Sequence, residues 1–333
     1  MATIKDIASA AKVSISTVSR ILNSDETIQV SPETRQRVLS IAAEMNYTKI
    51  LPKKENFAGT VLITHWYTKE LGLTDLYFSA IRWGVEITLK NAGYHVIRSI
   101  FNEDFPNFLN FSDIDGIIAI GEFNKENMPL LVNVKKPLVV INQNTMKYGI
   151  SCITADYSSP VKEIISYFKE HNHQQIGLID GISNSHNNKR DFLDPRSIIF
   201  REELQKNNEL DEKLIFTGDF SIESGYQAMK TAIETLGPNL PTAFFAISDT
   251  MALGALRALN EAQISVPDDI SIIGFGDLEV GQYFSPSLST VQLSKRQMGT
   301  LGAMTLQNIM NGIQTDPINI VTATKLVIRE SSK

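Results

Sequence analysis

The pattern of this chain predicts an α/β protein with a small three-helix module at its front. Residues 3–47 hold three short amphipathic helical stretches. From Thr60 onward, short apolar runs alternate with longer helical ones. Between the two patterns lies a charged, proline-containing stretch, Thr48 to Phe57, which reads as a linker.

Thr3 is placed to cap a helix from Ile4 to about Ala11, in which Ile4, Ile7, Ala8 and Ala11 share one face. After the turn Lys12-Val13-Ser14, Ser14 can cap a second helix reaching about Asn23. Its apolar side is Val18, Ile21 and Leu22, and its outer side is Ser16, Thr17 and Arg20. A third helix opens at Ser31, with Pro32 in its first turn and Glu33 near its positive end. Val38, Leu39, Ala42 and Met45 form its inward stripe.

Three small helices, the second showing hydroxyls and a guanidinium, read as a helix-turn-helix that enters the DNA major groove. Ser16 and Thr17 can donate to or accept from base edges, and Arg20 can fork onto a guanine or a phosphate. Ile15 either meets a thymine methyl or packs inside. Thr3, Ser14, Ser19 and Asn23 read as caps or phosphate contacts. One such module covers a half-site, so a homodimer on a near-palindromic operator is expected.

In the remainder, strands are expected at Val61–Thr64, Val96–Ile100, Gly116–Ile120, Leu138–Ile141, Ile176–Ile179, Leu214–Phe216, Ala243–Ile247 and Ile270–Phe275. Helices fit at Asp75–Asn91 and near 157–171, 194–207, 221–236 and 249–262. Such alternation implies parallel sheets covered on both faces, in one large sheet or two smaller ones.

A chain of 333 residues is long enough for two or three domains with substantial cores. Residues 1–58 hold eight Lys or Arg against six Asp or Glu, a net of +2; since the whole chain carries −6, the rest carries −8. The sign fits a front module that meets phosphates and a body that does not. No apolar run approaches membrane-spanning length and no secretory signal opens the chain, so no membrane partner and a cytoplasmic location are expected. A lone Cys152 excludes an intramolecular disulfide and fits a reducing compartment.

The run Thr3-Ile4-Lys5-Asp6-Ile7-Ala8, then Val13 through Asn23, closely resembles the lactose-repressor/galactose-repressor family of bacterial regulators. Val30-Ser31-Pro32-Glu33-Thr34-Arg35 resembles that family's third-helix start, and Asn46-Tyr47 its end. The resemblance implies two similar lobes joined by crossing strands, a fold shared with periplasmic sugar-binding proteins. Residues 1–47 would form the reader, 48–58 the hinge and 59–333 the body. Lobe 1 would take about 59–156 and 288–316, and lobe 2 about 157–285 and 317–333, with a last strand at Thr324–Ile328.

The resemblance also implies a hinge helix that wedges a leucine into the minor groove. The usual Asn followed by Ala-Arg-x-Leu is absent here and Pro52 interrupts the segment, leaving Leu51 or Ile50 for that role. Lys12 stands where many relatives have Gly.

The stretches Pro241–Leu256 and Val266–Asp277 resemble the family's effector-pocket walls, with polar groups just past the ends of parallel strands. The run Arg196-Ser197-Ile198-Ile199-Phe200 resembles the family's Arg-x-x-Gly-Phe, and its guanidinium would bridge two sugar hydroxyls. Asp249 and Asp277 either accept from hydroxyls or cap the following helices; Phe220 and Trp66 either stack on a sugar or belong to the core. Asn142 and His65 complete the ring. Ser248 replaces a common Asn and Gly276 a common ligand-binding Asp. The wording of the reader, including Asn23-Ser24-Asp25-Glu26-Thr27, is reminiscent of galactose and β-galactoside regulators of Gram-positive bacteria, so galactose or a galactoside is the expected small sugar effector.

The chain carries no phosphate loop, nucleophile elbow or metal-ligand spacing, so no catalytic residue, cofactor or metal is expected. His171-Asn172-His173 resembles the family's turn before a strand and reads as structural. A transport-type binding protein would explain the body but not the reader. A co-repressor or a protein partner in place of an inducing sugar stays open. No heptad tail follows, which favours a dimer over a coiled-coil tetramer.

Overall fold

Local hydrogen bonds set the first three helices. In the computed structural model, which describes residues 3–22, 28, 30–45, 58–66, 76–101, 105, 111–182 and 194–333, α1 spans Ile4–Ala11. Thr3 and Asp6 form a reciprocal capping box at its start. It ends at Lys12, whose backbone is left-handed at φ 53°, a conformation that costs a side-chain-bearing residue about 1 kcal/mol. Helix α2 is Ile15–Leu22, with Ser14 Oγ accepting from the Thr17 amide at 3.0 Å. Helix α3 is Pro32–Glu44, capped by Ser31 through the Thr34 amide at 3.3 Å. Ile7, Ala8, Ala11, Val18, Ile21, Val38 and Ala42 are buried between the three. Met45, expected inside, lies at the helix end and is 36 % exposed; Leu39 packs against the cluster as expected, and Ile41 joins it.

We expect Ser14→Ala to cost the reader about 1 kcal/mol, because it orphans an amide at the start of α2. Urea unfolding followed by circular dichroism would show it as an earlier loss of helix signal. No change in the midpoint would mean that solvent replaces the cap at no cost.

The body holds two parallel sheets. The first comprises β1 (Gly59–His65), β2 (Tyr94–Ile100), β3 (Gly116–Ile120), β4 (Leu138–Ile141), β5 (Ser151–Ala155) and β11 (Asn319–Thr322), in the order β11-β5-β4-β3-β1-β2. Along β1, Val61 and Ile63 join one apolar cluster and Leu62 the other. That period of two is what a strand covered on both faces requires. Helices α4 (Leu76–Asn91) and α10 (Lys295–Met310) pack together on the first of these faces, and the short α5 (Met128–Asn133) contributes to the second. Cys152 is buried in β5.

The second sheet comprises β6 (Ile176–Gly181), β7 (Ile215–Gly218), β8 (Ala243–Ala246) and β9 (Ser271–Ile273), in the order β7-β6-β8-β9. Helix α6 (Ser158–Glu170) leads from β5 into β6, and α7 (Pro195–Lys206), α8 (Ile222–Leu236) and α9 (Asp249–Glu261) connect the strands in turn. An antiparallel pair, β10 (Thr290–Leu293) with β12 (Thr324–Val327), carries the returning chain. One boundary differs from expectation. Residues 317–333 do not all go with the second lobe, because β11 pairs in parallel with β5 and closes the edge of the first sheet. Among the described residues, no helix is long and apolar enough to cross a membrane.

The two histidines of the 171–173 turn serve the framework. His171 Nδ1 lies 2.7 Å from the Tyr167 carbonyl, and His173 bridges the Thr242 hydroxyl and the Lys333 carbonyl.

Candidate functional site

Two surfaces carry chemistry. On the reader, Ile15 is 52 % exposed at the first turn of α2, so it does not pack inside; Ser16 beside it is exposed as well. Thr17 is half-buried, with its hydroxyl 2.8 Å from that of Ser14. Ser19 and Arg20 are half-buried one turn on. Thr3 and Ser14 are caps, as the residue pattern allows, and their exposure leaves a second contact open. Asn23 and Leu51 lie outside the described residues, as does most of the linker.

The second surface lies past the carboxyl ends of both sheets, where ligands of parallel sheets bind. Arg196 stands in the first turn of α7, which Asp194 caps by accepting from the Arg196 amide at 2.9 Å. The Asp194 carboxylate also grips the guanidinium, taking Nε at 2.8 Å and Nη2 at 2.6 Å. Nη1 donates to the Ile247 carbonyl at 2.6 Å. A guanidinium has five N–H donors, so two stay unspent among the described residues. The group is walled by aromatic faces: its central carbon is 4.9 Å from the Phe275 ring centre, 5.6 Å from Tyr157 and 6.0 Å from Phe220.

Phe220 is held in an unusual backbone conformation, φ 69°, with its carbonyl accepting from the Thr250 hydroxyl at 2.7 Å. Its ring lies over Gly181, where a Cβ would come within 2.6 Å of it; only glycine leaves that space. Asn142 follows β4 in the left-handed region, φ 83°. Its Oδ1 accepts from the hydroxyls of Tyr77, at 2.6 Å, and Tyr157, at 3.1 Å. Burial pushes the Tyr157 hydroxyl up to about 12, so it is a neutral donor. Arg196, Asn142 and Phe220 thus meet in one site.

The other expected residues are placed differently. Ser248 caps α9 by accepting from the Met251 amide at 3.3 Å, so Asp249 is a first-turn residue and not the cap. The Asp249 carboxylate is buried and takes the Leu278 amide at 2.6 Å and the Thr290 hydroxyl at 2.5 Å, so it serves the framework. Burial pushes it up to about 6 against those two bonds. Asp277 is not a cap: its carboxylate is paired with Arg329 at 2.7 Å and with Gln292 at 2.9 Å. His65 is buried at the end of β1, and burial, aided by Arg82 and Arg98, lowers it to about 3, leaving a neutral ring in the interior. Trp66 packs against the apolar cluster of the first sheet, 6.4 Å from Phe78 edge to face.

Four residues of the site were not singled out in the sequence: Tyr77, Glu122, Tyr157 and Phe275. Glu122 follows β3 by two residues. Burial above all, with Asp194 adding to it and Arg196 opposing, pushes its carboxyl up to about 7. The rule that ligands bind past the ends of parallel strands would have pointed to Glu122 and Tyr157 once β3 and β5 were placed.

Residues 3–49 match the bacterial regulatory proteins of the lacI family, and residues 165–332 match a periplasmic binding protein-like domain. The chain is 37 % identical over 332 residues to the HTH-type transcriptional regulator GalR of Lacticaseibacillus casei, covering all of both chains. It is 38 % identical over 341 residues to GalR of Streptococcus thermophilus, again covering all of both. Among solved structures, a transcriptional regulator CelR–cellobiose complex aligns over the full length of both chains with a TM-score of 0.71 and 25 % identity. The Lac repressor dimer bound to operator and an anti-inducer aligns over 99 % of each chain, with a TM-score of 0.68 and 23 % identity, a likeness of fold.

Proposed function

Because the chain belongs to the lacI family of bacterial regulatory proteins, and is therefore a DNA-binding transcriptional regulator, we propose that it represses sugar-utilisation genes and is released from its operator by galactose or a galactoside. One observation carries the reading. A single chain joins an exposed, capped reader helix to a site where a half-spent guanidinium faces three aromatic rings. Aromatic faces suit the C–H surface of a sugar, and paired N–H donors suit its hydroxyls. Relatives at 37 % and 38 % identity over their full lengths bear the name GalR, which supports galactose as the first sugar to try.

In this reading the protein acts as a homodimer on a near-palindromic operator. Ile15, Ser16, Thr17 and Arg20 read bases, while Thr3, Ser14 and Ser19 meet phosphates. Residues 48–58 link the reader to the body. Arg196, Asn142 and Phe220 hold the sugar. The sugar binds a closed arrangement of the lobes more tightly than an open one, and by that difference moves the two readers off operator spacing.

Fluorescence anisotropy on palindromic DNA from the protein's own promoter region tests this. Binding should be tight, and galactose or lactose should release it. Arg20→Ala should lose about 1–3 kcal/mol of preference for operator over random DNA and keep its sugar binding. Unchanged preference would take Arg20 out of the reading set. Tight operator binding unmoved by any sugar would transfer control to a co-repressor or a protein partner.

A further inference from the structure

We propose that Glu122 is the first lobe's contact to the effector, accepting hydroxyl hydrogens of a neutral sugar and turning away anionic ones. The inference rests on the sugar reading above. Glu122 emerges past the carboxyl end of β3, and its neighbours fix its backbone. Phe123, buried next to it, is clamped to Gln143: its amide donates to Gln143 Oε1 at 2.9 Å and its carbonyl accepts from Gln143 Nε2 at 2.9 Å.

The Glu122 carboxylate makes no hydrogen bond to any described residue, although it is partly buried and lies within the electrostatic reach of Asp194 and Arg196. A desolvated carboxylate without partners is costly, and a ligand that donates to it recovers that cost. The β3–β4 pairing and the Phe123–Gln143 clamp set Glu122 beside Asn142 at the ends of those strands, and Asn142 bonds to Tyr157, over whose ring lies Arg196 with its two unspent N–H donors. A sugar hydroxyl is donor and acceptor at once, and can give its hydrogen to Glu122 while taking one from Arg196. The charge balance sets the class of ligand. Asp194 already neutralises Arg196, so above about pH 7, where Glu122 is ionised, these three groups carry one net negative charge. A sugar acid or phosphate meets repulsion there, and a neutral sugar does not.

Calorimetric titration of the full chain at about pH 8, where Glu122 is ionised, with D-galactose and with D-galacturonate tests this. The readout is the ratio of the two affinities. Glu122→Gln keeps the shape and removes the charge, so the preference for galactose should fall at least tenfold. Glu126→Gln, the same charge change at an exposed position on the following turn, should leave the ratio at the wild-type value. If the wild type binds galactose and the ratio is the same in Glu122→Gln, Glu122 is not a contact and only this proposal is lost. If the wild type binds neither galactose nor lactose, the sugar reading fails and this proposal fails with it.

Discussion

Replacing Arg196 by Ala should abolish sugar-dependent release from the operator. The side chain keeps two N–H donors unspent among the described residues and stands against three aromatic rings. Hydrogen bonds to a charged group contribute about 1.5–3 kcal/mol each, so losing two weakens the sugar on the order of a hundredfold or more. The same change strips Asp194 of its partner and leaves a buried carboxylate uncompensated, at a cost of about 3–5 kcal/mol to the fold. Arg196→Ala combined with Asp194→Ala removes that burden and keeps the functional loss, which separates the two effects. Anisotropy of the double variant on operator DNA, titrated with galactose, is the measurement. Full release at wild-type sugar concentrations would move the effector site away from α7.

Gly299→Ala should destabilise the body by about 2 kcal/mol, although the same change in an exposed helix would stabilise it by about 1 kcal/mol. The sign is the informative part. A Cβ at Gly299 of α10 would lie 2.0 Å from the Ile81 carbonyl oxygen of α4, and one at Gly84 of α4 would lie 2.1 Å from the Arg296 carbonyl oxygen. Both obstacles are backbone, so no rotamer change relieves them and the helices must part. Overpacking of this kind typically costs about 1–3 kcal/mol, and a contact this short belongs at the upper end. The second lobe repeats the device: Gly225 of α8 faces the Met251 carbonyl at 2.2 Å, and Gly254 of α9 faces the Ile222 carbonyl at 2.0 Å. Each lobe thus presses one helix pair together on two glycines. Urea unfolding of Gly299→Ala should show a lowered midpoint with the slope unchanged. A raised midpoint would mean that propensity wins and the helices already have room.

Where a residue's partner lies within one turn, the sequence alone was enough. Thr3, Ser14 and Ser31 bond to amides three residues on, and the three helices begin where those caps stand. The apolar runs at Val61, Gly116 and Leu138 declare buried parallel strands because both faces must be apolar, and all three are strands here. Arg196, Asn142 and Phe220 were also singled out, the first through its family motif, and the fold brings them together around Tyr157. The carboxylates were not. Asp249 and Asp277 sit just past strand ends, where ligand contacts are expected, yet their partners Thr290 and Arg329 are 41 and 52 residues away in the chain. Nor could the chain order reveal that β11 would return to β5, or that Tyr77 and Tyr157 would share the Asn142 amide oxygen. A cap is settled by hydrogen bonds that a single turn closes. Whether a carboxylate is spent on the framework or left for a ligand depends on which distant donors the packed sheets bring to it, and only the tertiary structure decides that.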